Sequence, residues 1–127
     1  MSVISPPKAV YITGSLGLWE EVPPGQWKII STPARGLLSI AVFPANPVAP
    51  GTVVSNSYVI KIFADPSMKD PPANPETSTT NLRLAWKDKF DFFFVPLRMP
   101  GGRSHFHIAI KNTQTSGSIF ILVTFEA

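Results

Sequence analysis

The chain has two histidines, His105 and His107, spaced as H-x-H within the segment "GRSHFHIA" (102–109). Alternate residues of a β-strand point to the same face, so a strand here would present both imidazoles together to a metal ion. A catalytic zinc site usually has three protein ligands, however, and Lys111 and Asn112 follow where an acid would be needed. We therefore expect no metal and no cofactor. We interpret the histidines as polar residues on an exposed or interfacial strand face that they share with Lys111.

Nucleophilic and acid–base catalysis have equally little support in the sequence. Ser104 could join a triad with a histidine and Asp91, but on a strand Ser104 and the two histidines point to opposite faces. The segment "TGSLG" (13–17) lacks the spacing of a nucleophile elbow. The whole chain has eight Asp and Glu residues, which is little material for a pair of catalytic carboxyls. We expect no enzymatic activity.

Composition limits the class of protein. A chain of 127 residues is the size of one domain, and we treat 1–127 as a single unit. Charged residues make up 15% of the chain, well below the usual share of about a quarter. The net charge is +3 and the basic residues are scattered, so we expect no nucleic-acid binding. No apolar run approaches the length of a membrane span, so we expect no membrane insertion.

Pro and Gly separate strand-length runs that are rich in Val, Ile, Phe and Thr. No long window keeps a helical period without a proline, so the sequence predicts an all-β domain. Eight such runs favour a two-sheet antiparallel β-sandwich of the jelly-roll or Greek-key type, with an up-and-down barrel as the alternative. The predicted strands are 9–13, 26–32, 37–43, 52–64, 80–86, 90–97, 104–111 and 118–126.

The pattern within three of these runs predicts the core. Residues 81–86 and 105–111 alternate between apolar and polar, as half-buried strands do, whereas 118–126 is apolar on both faces. The last run is therefore predicted to be a central or an interface strand. The expected core residues are Leu82, Leu84, Phe106, Ile108, Ile110, Ile119, Ile121 and Val123.

One connection, 65–79, is long for a compact domain and holds four prolines but few apolar side chains. We expect it to make few buried contacts and to act as a recognition loop on a rigid scaffold, with Trp19 as a further contributor. The alternative binding surface is the strand face with His105, His107 and Lys111. The candidate binding residues of the loop are Met68, Lys69, Asp70, Asn74 and Glu76.

The segments "NPVAPG" (46–51), "DPPANPETSTT" (70–80) and "GSIFILVTFEA" (117–127), together with the eight short strands, carry a family resemblance. In these features the chain resembles the protruding surface domains of small icosahedral virus capsid proteins. The resemblance implies a virion-surface domain that mediates assembly as dimers or trimers, or attachment to a host receptor or glycan. The chain departs from complete capsid proteins because it has no basic RNA-binding arm, which predicts that it is one domain of a longer protein.

Two other functions remain open. A carbohydrate-binding, lectin-like β-sandwich would use an exposed Trp19 for stacking against a sugar. A small metalloenzyme is the third hypothesis, because the chain is similar to the cupin family in the H-x-H spacing and in the neighbouring pair Gly101 and Gly102. It lacks the glutamate and the further histidine of that family's metal site.

Overall fold

The computed structural model describes residues 15–44, 58–88 and 91–127, and within these ranges it contains eight β-strands and no helix. The predicted run 9–13 and the beginning of the predicted run 52–64 lie outside the described residues. The strands are β1 (Ser15–Val22), β2 (Trp27–Ala34), β3 (Gly36–Pro44), β4 (Tyr58–Asp65), β5 (Leu82–Asp88), β6 (Asp91–Arg98), β7 (Ser104–Asn112) and β8 (Ile119–Glu126).

The strands form two four-stranded antiparallel sheets. Sheet A has the order β1-β8-β3-β6, and sheet B has the order β2-β7-β4-β5. The first strand pairs with the last, the second with the seventh, the third with the sixth and the fourth with the fifth. A chain folded back on itself in this way and then rolled into two sheets is a jelly roll. The predicted all-β, two-sheet sandwich of about eight strands is confirmed.

The core lies between the sheets and is built from alternate residues of the central strands. Phe106, Ile108 and Ile110 of β7 are fully buried, as predicted. The predicted residues Ile119, Ile121 and Val123 of β8 are also fully buried. β8 lies between β1 and β3, so the prediction of a central strand is confirmed.

The prediction for β5 is only partly correct. Leu82 is half-buried, and Leu84 is 39% exposed instead of belonging to the core. β5 is an edge strand of sheet B, and β6 is an edge strand of sheet A. Between these edges lies an apolar cavity of about 330 Å³, which Leu84 lines together with Trp86 and Phe93. Trp86 packs partly against the core, but Leu84 faces this opening, which the alternating pattern of 81–86 does not reveal.

The strand β1 is absent from the sequence prediction. Its apolar alternation is interrupted by Gly17 and by the adjacent acids Glu20 and Glu21. Its pairing with β8 nevertheless extends from Ser15 to Val22. Hydrogen bonds to β8 therefore stabilise a strand that the local sequence pattern does not predict. Among the described residues there is no helix long and apolar enough to cross a membrane.

Candidate functional site

The outer face of sheet A carries large apolar side chains on all four strands. Directly paired residues share a face, and one such row runs from Trp19 on β1 through Leu122 and Ala41 to Phe92 on β6. The row on one side contains Gly17, the uncharged polar residues Thr124 and Ser39, and finally Phe94. The row on the other side contains Phe43 and Phe120. We call this surface the apolar face; its large side chains are Trp19, Phe43, Phe92, Phe94, Phe120 and Leu122.

Several of these side chains are exposed although they are large. Phe94 is 81% exposed, Phe92 is 51% exposed and Trp19 is 48% exposed. Phe120 is 8% exposed because the rings of Trp19 and Phe43 lie against it, with centroid distances of 6.1 and 5.7 Å. The rings of Phe92 and Phe94 meet edge to face at 4.9 Å. Contiguous exposed apolar surface of this kind is typical of interaction sites.

Charge is confined to the margins of the apolar face. The rows that contain Trp19 and Phe94 have no charged residue on any of the four strands. Glu21 lies in the row of Phe120, and the ion pair between Arg98 and Glu126 lies at the end of the sheet. The face is therefore suited to an apolar partner surface.

The outer face of sheet B is partly covered by the connection between β4 and β5. Lys61 on β4 donates hydrogen bonds to the carbonyls of Pro75 and Glu76 at 2.8 and 2.9 Å. The Glu76 carboxylate in turn accepts hydrogen bonds from the Trp27 indole at 3.2 Å and from Lys111 at 3.1 Å. The loop 66–81 is thus fixed to strands β2, β4 and β7.

His107 anchors the other part of this loop and is 1% exposed. Its Nε2 is 2.7 Å from the carbonyl oxygen of Met68, and its Nδ1 is 2.7 Å from the hydroxyl of Ser31. A carbonyl can only accept, so Nε2 carries a proton and donates it. In the neutral imidazole Nδ1 then accepts from Ser31, and both ring nitrogens are used within the protein.

The carboxyl of Glu76 is stabilised in its charged form. The hydrogen bond from Lys111 and then the one from Trp27 hold its pKa below its ordinary value of 4.5, with a smaller Coulombic contribution from Lys61. At neutral pH the carboxylate therefore connects the loop to sheet B as an acceptor of two charge-strengthened contacts.

These contacts correct two expectations about sheet B. The expectation that the loop makes few buried contacts is wrong, because Pro75 is buried and Met68 is half-buried over His107. The interpretation of His107 as a polar residue on an exposed or interfacial strand face is also wrong, because the chain's own loop buries it. His105 is half-buried, as is Lys111, which is bonded to Glu76. The loop and the strand face with His105, His107 and Lys111 are therefore packed together and are not two separate binding surfaces.

The structure separates the predicted binding residues into two groups. Trp19 lies on the outer face of sheet A, whereas the loop lies on the outer face of sheet B, so the two cannot form one site. Lys69, Asp70 and Asn74 are exposed on the loop, and the Asn74 side chain accepts a hydrogen bond from the Glu76 backbone. Their role in recognition stays a prediction.

Phe92 and Phe94 were not singled out by the sequence, although a signal is present. In "FDFFFVPL" (90–97) they alternate with Phe93 and Val95, which pack in or against the core, so both faces of β6 are apolar. The described residues include no group of three or more His, Cys, Asp or Glu side chains that could hold a metal ion. Comparison of the chain with protein families, with curated proteins and with solved structures found no match.

Proposed function

We propose that the chain is a non-enzymatic assembly domain of the virion-surface type, which associates with further copies of itself through the apolar face. The observation that carries the proposal is the exposure of Phe94, Phe92 and Trp19 on one sheet. A large ring left in water costs apolar free energy that a partner surface recovers, at about 25 cal/mol per Å² of buried apolar area.

The chemistry of the face favours a second copy as the partner. Interfaces between identical subunits are more apolar than transient ones, and they are self-complementary across a symmetry axis. The rows of Trp19 and Phe94 contain no charged residue, so two such faces meet without placing like charges together. A nucleic acid would instead require basic side chains here.

The jelly roll supports this proposal in a weaker sense. The strand order of the two sheets is one that viral capsid domains, lectins and cupins use. A fold of this kind hosts several unrelated functions, so the site has to distinguish among them. The apolar face fits assembly better than sugar binding or metal chemistry.

The substitution Phe94→Ser tests the proposal. Phe94 is 81% exposed in the single chain, so its loss should leave the monomer folded, while an interface centred on it should weaken. We expect sedimentation velocity to show a multiple of 13.8 kDa for the unchanged protein and a shift toward the monomer for Phe94→Ser.

Ala85→Ser is the control, because it also replaces an exposed apolar side chain but lies on sheet B and does not line the cavity that Leu84 and Phe94 share. This variant should retain the oligomer. A monomer at all concentrations for the unchanged protein, or equal dissociation of both variants, would contradict the proposal.

Trp19 favours a second candidate function, binding of carbohydrate. Its ring is 48% exposed on a sheet surface, where it could stack against a sugar. A glycan array distinguishes the two functions. A monomer that binds one sugar, and whose Trp19→Ala variant no longer binds that sugar, would support a lectin-like module. An oligomer that binds no neutral sugar would support assembly.

A further inference from the structure

Three arginines converge at one end of the sandwich. Arg35 lies in the connection between β2 and β3, Arg98 ends β6, and Arg103 precedes β7. Together with Met99 and Gly102 they line an open cavity of about 510 Å³. This volume lies in the range of small-molecule sites, about 300–1,000 Å³.

The strand register forces this convergence. In sheet A, Gly36 pairs with Arg98, and in sheet B, Ala34 pairs with Ser104. Arg35 and Arg103 are the chain neighbours of Ala34 and Ser104, so both are held at the same end as Arg98. The cavity therefore belongs to the framework of the jelly roll and not to a separate loop.

The turn before β7 keeps the mouth of the cavity open. Gly101 and Gly102 have φ angles of 89° and 97°, which residues with a side chain rarely adopt. Because neither residue has a side chain, the backbone between β6 and β7 stays accessible to solvent next to the arginines.

The charges of the cavity are unbalanced. Arg98 is paired with Glu126 at 2.5 Å. Within the described part of the chain, the side chains of Arg35 and Arg103 make no hydrogen bond or ion pair. Three guanidinium groups against one carboxylate leave two positive charges (3 − 1) for an external anion.

We propose that this cavity binds an oxyanion ester, a sulfate or a phosphate carried on a sugar. The planar guanidinium donates paired hydrogen bonds that match the oxygens of such a group, and several arginines around one cavity are typical of its recognition. Met99 supplies an apolar contact for the carbon skeleton beside the charged group.

A sugar ester fits better than a nucleic acid. Binding of single strands combines a long basic groove with aromatic side chains on which bases stack. None of the described residues that line this cavity is aromatic, and the three arginines surround one compact space. The inference is independent of self-association, because it concerns the end of the sandwich and not the centre of the apolar face.

Isothermal titration at an ionic strength of about 0.15 M, where long-range attraction is screened, tests the proposal. The probes are a sulfated disaccharide from heparin and glucose 6-phosphate. We expect one of them to bind, and Arg103→Ala to weaken that binding by about tenfold or more. The ester that binds more tightly identifies the group that the cavity selects.

Lys87→Ala is the matched control, because it removes one exposed positive charge at the opposite end of sheet B: Lys87 and Lys111 both pair with Val59, whereas Arg103 precedes the other end of β7. It should change the affinity by less than about twofold. Arg103→Lys keeps the positive charge but loses the planar guanidinium that donates paired hydrogen bonds, so this variant should bind the ester more weakly than the unchanged protein does.

Three outcomes would overturn the proposal. The first is that neither ester binds, and the second is that Arg103→Ala and Lys87→Ala weaken binding equally, which indicates diffuse attraction. The third is that a single-stranded oligonucleotide binds more tightly than either ester and depends on Arg103. Thermal unfolding should show that Arg103→Ala is as stable as the unchanged protein, because Arg103 is exposed.

Discussion

At the scale of single residues, His107 has the clearest structural role. It connects Ser31 on β2 and Met68 on the loop through both nitrogens of a buried imidazole. The sequence predicts the strand and the side on which His107 lies, but not its burial. Its partners are 76 and 39 residues away along the chain, and no local pattern indicates contacts of that separation.

We expect His107→Ala to lower the free energy of unfolding by about 1–3 kcal/mol, because it leaves the partly buried Met68 carbonyl without a donor and opens a cavity. Urea denaturation measures the loss. His105→Ala is the control on the same strand face, and it should cost less than about 1 kcal/mol because His105 is only half-buried. Equal costs for both variants would contradict the role assigned to His107.

Glu76 should make the contact between the loop and sheet B sensitive to acid. Because the folded-state pKa of its carboxyl is lowered, the stabilisation is complete above the ordinary value of 4.5 and is lost as the pH falls through the lowered pKa. The indole N–H signal of Trp27 in a nuclear magnetic resonance spectrum should report this loss, since that group donates to Glu76.

In Glu76→Gln the Trp27 signal should no longer follow this titration. The pKa of Asp65 is also lowered, mainly by hydrogen bonds from Ser67, and Asp65 is still present in Glu76→Gln. A Trp27 signal that still titrates in this variant would therefore report Asp65 and not Glu76. A Trp27 signal that changes at or above pH 4.5 in the unchanged protein would show that Glu76 is not held in the charged form.

At the scale of elements, the loop 66–81 is a cover for sheet B that still presents exposed polar residues. Its length and prolines identify it in the sequence as unusual, and the structure confirms only that it is a long connection between two strands. Its contacts with Lys61, His107 and Lys111 could not be predicted, because they depend on which side of sheet B the chain crosses. β1 escaped prediction for a related reason, since its stability comes from β8.

Replacement of residues 67–77 by a Gly/Ser linker should therefore destabilise the protein. The linker removes the acceptor of His107 and the partners of Lys61, and we expect a loss of about 1–3 kcal/mol in the free energy of unfolding. The double variant Lys69→Ala and Asp70→Ala is the control, because both side chains are exposed, and it should change stability by less than about 0.5 kcal/mol. An unchanged midpoint for the linker variant would show that the loop contributes nothing to the fold.

At the scale of the whole molecule, the composition and the strand pattern were sufficient to predict a two-sheet sandwich. The apolar face was not predictable in the same way. Trp19 and Phe94 are 75 positions apart (94 − 19), and they share a surface only because β1, β8, β3 and β6 pair in this order and register. The sequence pattern predicts which residues of one strand share a face, but it does not predict which strands lie next to each other in the sheet.

Hydroxyl-radical footprinting of dilute and concentrated protein tests the central claim, association through the apolar face, most directly. We predict that Trp19 and Phe94 react readily in dilute solution, in agreement with their exposure in the single chain, and become protected as the concentration rises. Trp27, on the opposite sheet, should react equally at both concentrations. Unchanged reactivity of Trp19 and Phe94, or protection of Trp27 alone, would contradict this account.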